Sequence, residues 1–184
     1  MPTIISHAAV AVALMAGFPA RSVPRRLTEL GVAVSIAPDI DVIGSRFGIE
    51  YGDLLGHRGL THSILFAALL ASVALLWASR RTDLSMQRRW TWLYLFLAAA
   101  SHGLLDAFTD GGLGVAFFSP FNTGRYFFPV TPISVSPVGL SFFSGRGISV
   151  LLSEFVWVWL PALAFSIAAL LIRRICQKGN IKPA

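Results

Sequence analysis

The sequence predicts an all-α integral membrane protein. It reads as a bundle of about five transmembrane helices, the second short or broken, with a long aromatic and proline-rich outer loop between the fourth and fifth. Three observations lead there. The 184 residues are 55% hydrophobic and only 13% charged, roughly half the charged share of a soluble domain. The apolar residues gather in long blocks rather than short amphipathic periods, and the mean hydropathy is +0.69, the pattern of membrane spans. The basic residues fall in short stretches between those blocks. At this length a single domain, residues 1–184, is expected.

The first block, Thr3–Phe18, is a little short of the ~20 residues that cross a hydrocarbon core. It has no basic stretch before it and no small-residue cleavage site after it, so it reads as a retained helix rather than a signal peptide. The second, Leu27–Ile43, is apolar but carries Glu29, Pro38, Asp39 and Asp41. It predicts a helix that stops near Pro38, and lipid tolerates such irregular backbone only where protein or water covers it. Leu60–Ala78, Trp90–Phe108 and Val150–Ile172 complete the set. Residues 109–149 form the outer loop, whose prolines oppose a continuous helix. It reads as a lid or lateral rim, or as a simple cover for the bundle, with Arg125 and Arg146 meeting anionic headgroups.

Charge orients these segments. Arg21, Arg25 and Arg26 follow the first block; Arg80, Arg81, Arg88 and Arg89 separate the third from the fourth; Arg173, Arg174, Lys178 and Lys182 follow the last. With five crossings all three clusters share one side, which the positive-inside tendency makes cytoplasmic. Four crossings, with Leu27–Ile43 re-entrant, would split the first cluster from the second. The expected topology is therefore N-terminus outside and C-terminus inside, in a cytoplasmic (inner) membrane. The net charge of +6 is accounted for by orientation, so no nucleic acid partner is expected. The single cysteine, Cys176, excludes an internal disulfide and a thiolate zinc cluster.

Under that topology the remaining polar residues converge. His7, Asp39, Asp41, His57, His62, and the helical pair His102 and Asp106, four apart on one face, all fall at the outer end. The topology was set from Arg and Lys alone, so this convergence is an independent result. Singly, each residue has a plain structural reading. His7 fits a bond to a neighbouring helix carbonyl, PDID a helix stop, Thr61 and Ser63 caps, and His57 and Arg58 headgroup contacts. Jointly, those readings need four helices to place costly groups at one depth for unrelated reasons, whereas intramembrane ionisable residues mark functional sites.

Imidazole and carboxylate without thiolate form the ligand set of a hydrolytic metal site. Zinc suits it best, and the carboxylates also admit manganese or iron. Seven candidate ligands exceed what one zinc needs, which leaves room for two ions clamping a phosphoester. Asp41 or Asp106 would bridge ions or orient a ligating histidine. Arg58 is placed to hold a phosphate oxygen, or else to snorkel to headgroups. Asp41, Asp106 and Arg58 are thus the side chains expected to act in the chemistry.

An early helical histidine, then PDID, HRGLTHS and SHGLLDAFTDGGLG in that order, resembles the membrane-bound metal-dependent hydrolase family typified by the LexA-regulated YdjM proteins. The resemblance spans Ser6 to about Phe121. It implies a multi-spanning hydrolase in which His7, Asp39, Asp41, His57, His62, His102 and Asp106 occupy the family's motif positions. The expected substrate is an amphiphilic phosphoester reached from the bilayer. Two alternatives use the same residues: a divalent-metal transporter, and a non-catalytic membrane regulator with a structural metal. Nothing in the sequence speaks to oligomeric state.

Overall fold

In a computed structural model, the described residues are 1–19, 25–81, 86–137, 142–143 and 145–179. Among them the architecture is all-helical, with only two isolated bridges, Thr109 to Ile133 and Val115 to Tyr126. The helices are α1 (Ile4–Ala16), α2 (Arg25–Ile36), α3 (Ile64–Arg81), α4 (Arg88–Ala107), α5 (Gly145–Glu154) and α6 (Leu160–Gly179). Arg21 and Lys182, used above for orientation, lie outside the described residues, as do positions 138–141 and 144 of the outer loop.

The second segment breaks where Pro38 dictates. A residue before proline avoids the α region, and α2 accordingly gives way to a 3₁₀ stretch, Ala37–Phe47, with the proline in its first turn. This break carries Asp39 and Asp41 away from the helix axis, toward the mouth of α3. A second 3₁₀ turn, Leu60–His62, precedes α3, and the Ser63 hydroxyl accepts the Phe66 amide at 3.1 Å as a cap.

Helices α1 to α4 share one core of Ala11, Met15, Leu27, Val34, Ala67, Ala71, Tyr94, Leu95 and Ala98, among others. On α3 the inward positions are small, Ala67, Ala71, Ala74 and Ala78, while Leu69, Val73 and Leu76 point outward and are more than half exposed. Small residues inside and large apolar residues outside reverse the order of a water-soluble bundle and match helices packed within lipid. The α2–α4 approach is close enough to require Gly31. A Cβ there would stand 1.9 Å from Tyr94 Oη, whose hydroxyl donates to the Ala11 carbonyl at 3.1 Å.

The last two helices run as one rod, Gly145–Cys176 being the one described helix long and apolar enough to cross a membrane. Its 32 residues span about 48 Å. It starts five residues earlier than the apolar block suggested. Midway it passes through a π turn, Phe155–Trp159, just before Pro161. That proline has no N–H for the carbonyl four residues back, and a π turn is how a buried or lipid-facing helix re-registers around the lost bond. Ile4–Ala16 and Ile64–Arg80 are apolar but shorter. The rod rests mainly on α1. Glu154 accepts hydrogen bonds from the Thr3 amide and hydroxyl (2.5 Å each) and from the Ser6 hydroxyl (2.6 Å), while Trp159 Nε1 donates to Ser6 Oγ at 2.8 Å. At the other end Arg173 donates to the carbonyls of Ala16 and Phe18.

The outer loop does not simply arch over the bundle. Val115, Ala116 and Ile133 are buried. The Ile64 amide donates to Phe117 O and the Ala116 amide to Arg58 O, both at 3.0 Å. The segment from Thr109 to Ile133 is therefore part of the wall behind the polar cluster.

Candidate metal centre

Four chain segments deliver the polar residues to one end of the bundle. The second turn of α1 brings His7, the 3₁₀ stretch brings Asp39 and Asp41, the turn before α3 brings His57 and His62, and the last turns of α4 bring His102 and Asp106. Gly103 makes the approach possible, because a Cβ there would stand 2.8 Å from the His62 carbonyl oxygen.

At the centre lie His62 Nε2, His102 Nε2, Asp39 Oδ1 and Asp106 Oδ2, a group whose donor atoms all fall within 4.8 Å of one another. The two histidine nitrogens are 3.0 Å apart. His102 Nε2 is 3.3 Å from Asp39 and 4.0 Å from Asp106, and His62 Nε2 is 3.8 Å from Asp39 and 3.3 Å from Asp106. Four ligands held about 2.0–2.1 Å from a tetrahedral zinc would stand roughly 3.3 Å apart, so these separations fit one ion.

The tautomers follow from the outer partners. His102 Nδ1 donates to the Ser35 carbonyl at 2.7 Å. The Thr61 hydroxyl gives its proton to Asp41 Oδ2 at 2.5 Å and so can only accept from His62 Nδ1 at 3.0 Å. Each ring can therefore keep a proton on Nδ1 and leave Nε2 facing inward, free to bind an ion. With both rings neutral in these tautomers, the four central atoms are all acceptors and face one another, the two Nε2 atoms 3.0 Å apart. Neither oxygen of Asp39 or Asp106 makes a hydrogen bond among the described residues. Buried acceptors in such a cluster repel unless a cation or a shared proton sits among them.

Asp41 belongs to an outer ring. Its carboxylate receives His57 Nδ1 at 2.8 Å and Thr61 Oγ1 at 2.5 Å, with His62 Nδ1 at 3.2 Å. A carboxylate behind a ligating imidazole fixes the ring's orientation and raises its basicity. Asp41, His57 and His62 also form a ligand-like group of their own, but its atoms already hydrogen-bond one another. His7 is fully buried and stacked on His102, with ring centroids 3.9 Å apart. Neither of its nitrogens has a hydrogen-bond partner among the described residues, and Nε2 lies 3.9 Å from Asp106 Oδ1.

Arg58 and Arg125 differ from expectation. Arg58 is 1% exposed and so does not reach headgroups. Its Nη1 donates to the Gly111 carbonyl at 2.7 Å and Nη2 to Thr109 Oγ1 at 3.0 Å. Nε lies 3.1 Å from Asp106 Oδ2, a charge contact rather than an aligned hydrogen bond. Its backbone φ is +63°, a left-handed conformation that costs a non-glycine residue energy and turns the side chain under the site. Arg125 likewise faces inward, donating to the carbonyls of His57 (2.9 Å), Tyr51 (2.8 Å) and Asp53 (3.2 Å). Burial raises the Tyr51 phenol above its ordinary pKa, with Arg58 opposing, so the ring stays neutral against His57. Thr61, read above as a cap, bonds Asp41 instead. The site's most open side chains are His57, 15% exposed, and Asp39, 10%, and the apolar Ile40, Ile43 and Phe47 on the same 3₁₀ stretch as Asp39 are exposed.

The fold and this cluster define a helical protein with an apolar rim and a buried histidine–aspartate centre at one end. The chain belongs to the YdjM inner membrane protein family, whose profile matches residues 1–179. It is 38% identical over 164 residues to inner membrane protein YbcI of Escherichia coli (strain K12), covering 89% of this chain and 94% of that protein. No solved structure matches it.

Proposed function

We propose that this inner membrane protein is a metal-dependent hydrolase acting on a phosphoester of a lipid-like substrate at the outer leaflet. The observation that carries the reading is the group of four inward-facing acceptors, Asp39, His62, His102 and Asp106, spaced as ligands of one divalent ion. Zinc suits this donor set best, with manganese or iron as substitutes. When bound, the ion supplies a water of near-neutral pKa and Lewis acidity toward a phosphoryl oxygen. The chain's own residues do the rest. Asp41, backed by His57 and Thr61, orients His62; the Ser35 carbonyl orients His102; Arg58 holds Asp106 through charge. His7, with both nitrogens unpartnered beside Asp106 Oδ1, is the side chain available to a second ion or to the substrate. Arg58, committed to Asp106, Thr109 and Gly111, acts through the aspartate and not on phosphate directly. The partly exposed Asp39 and His57, with exposed Ile40, Ile43 and Phe47 on the same 3₁₀ stretch as Asp39, suit an amphiphile arriving from the bilayer. Five crossings with the N-terminus outside complete the topology.

One observation favours a second reading. Four protein donors already complete a tetrahedron, the mark of structural zinc, whereas catalytic sites keep a position for water. In that case the ion staples the helices. A transporter is disfavoured because the donors sit at one end of the bundle and not near a midplane.

Elemental analysis of detergent-purified wild type and His62→Ala, paired with a phosphoester and lipid hydrolysis screen, tests both. Stoichiometric metal in wild type, lost in the variant, with metal-dependent hydrolysis supports the enzyme. Metal without hydrolysis, together with no effect of a manganese-loaded sample on water proton relaxation, supports the staple. Wild type free of transition metal overturns the centre itself.

A further inference from the structure

Glu154 is the one fully buried carboxylate among the described residues that stands apart from the polar centre, on a rod largely turned outward. Burying a carboxylate is costly unless hydrogen bonds replace its water. Here three donors do so, all from the first turn of α1: Thr3 N, Thr3 Oγ1 and Ser6 Oγ. The helix gains as well, since Thr3 makes no side-chain cap of its own and a negative charge at a helix N-terminus complements its dipole. Ser6 is held from a second direction by Trp159, from across the π turn. The residue after Ser6 is His7.

We propose that Glu154 is a positioning residue for the metal centre. It fixes the register of α1 against the last helix and so sets His7 against His102 and Asp106. The four-donor group contains no residue from α1, so Glu154 governs the contribution of His7 and leaves the primary ligands in place. The arrangement divides the site into a part built by α2, α3 and α4 and a part supplied by α1 under the control of α5.

This inference rests on the metal reading, and cobalt separates the two. Full-length protein in detergent is stripped, reloaded with Co(II) and read by its visible absorption. The expected result is that His7→Ala and Glu154→Leu produce the same spectral shift with cobalt affinity changed less than threefold, and that the double variant adds nothing further. Glu154→Gln, which keeps one acceptor oxygen, should return part of the wild-type spectrum. Should Glu154→Leu fail to insert, Glu154→Gln and Ser6→Ala read the same coupling, each moving the band part of the way that His7→Ala moves it. A spectrum sensitive to His7 but unmoved by every change at Glu154 and Ser6 overturns the positioning role alone, as do additive effects in the double variant. A spectrum unmoved by His7→Ala also overturns it. No cobalt binding by wild type overturns the metal centre, and this role with it.

Discussion

Asp41→Asn separates ligand from support within the centre. The side chain keeps its size but loses its charge, and one acceptor becomes a donor. In the native arrangement Asp41 accepts from His57 Nδ1 and Thr61 Oγ1 at 2.8 and 2.5 Å, while His62 Nδ1, bonded to Thr61, lies 3.2 Å away. The amide oxygen can still serve His57. The amide nitrogen then donates to Thr61 Oγ1, whose hydroxyl proton turns toward His62 Nδ1. His62 answers by moving its proton to Nε2, where it points into the four-donor group and competes with the ion. Loss of a carboxylate behind a ligating histidine weakens metal binding about 10–100-fold, equivalent to roughly 1.4–2.8 kcal/mol. The assay is zinc titration against a competing chelator on detergent-purified protein, with His62→Ala alongside as the ligand deletion. Asp41→Asn should bind a full equivalent of zinc with affinity reduced by that factor. Complete loss of metal, equal to His62→Ala, would make Asp41 a ligand and move the ion to the Asp41–His57–His62 group. Affinity equal to wild type would refute the orienting role.

Other perturbations reach different parts of the argument. Arg58→Met leaves Asp106 buried without its guanidinium, a loss of about 3–5 kcal/mol that should lower the thermal midpoint by roughly 6–20 °C; an unchanged midpoint would mean the pair is dispensable. Gly31→Ala puts a methyl 1.9 Å from Tyr94 Oη and should cost about 1–3 kcal/mol in thermal unfolding. Adding Tyr94→Phe should recover only part of that, because Cζ would still stand 2.4 Å away. Chelation should lower the thermal midpoint, and zinc at 100 times its dissociation constant should restore about 2.7 kcal/mol; His62→Ala should respond to neither. A cysteine at the exposed Thr123, in a Cys176→Ser background, should label from the periplasmic side in intact cells, and labelling only after the cytoplasm is opened would invert the topology.

The location of the centre was legible because ionisable side chains are rare in apolar segments and each must have a partner. His7, PDID, HRGLTHS and the His102–Asp106 pair therefore announce themselves one by one, and the break at Pro38 follows from proline's own geometry. The division of labour among the seven was not legible. Whether Asp41 ligates or supports depends on which way the Thr61 hydroxyl points, and no spacing rule encodes that. The surroundings of Arg58 and Arg125 were not legible for a related reason. A guanidinium at a helix mouth looks the same in sequence whether it meets lipid or a ring of backbone carbonyls, and only the folded loop supplies Gly111, Tyr51 and Asp53 as acceptors. Glu154 was missed although its signal was present, an acidic residue inside the last apolar block. The outer loop, lacking any period, gave no hint that its own Val115 and Ile133 would be buried.

The Thr3–Glu154 contact also sets an order of assembly. Its partners are 151 residues apart, and at 5–20 residues per second a ribosome needs about 8–30 s to cover that distance. During that interval α1 is already made, yet the carboxylate that anchors its first turn does not exist. His7 therefore reaches its final seat late, after the elements carrying the other six polar residues have emerged. A chain truncated before α5 should hold most of the pocket but leave His7 without its anchor, so the C-terminal segment is the step that completes the site during biogenesis.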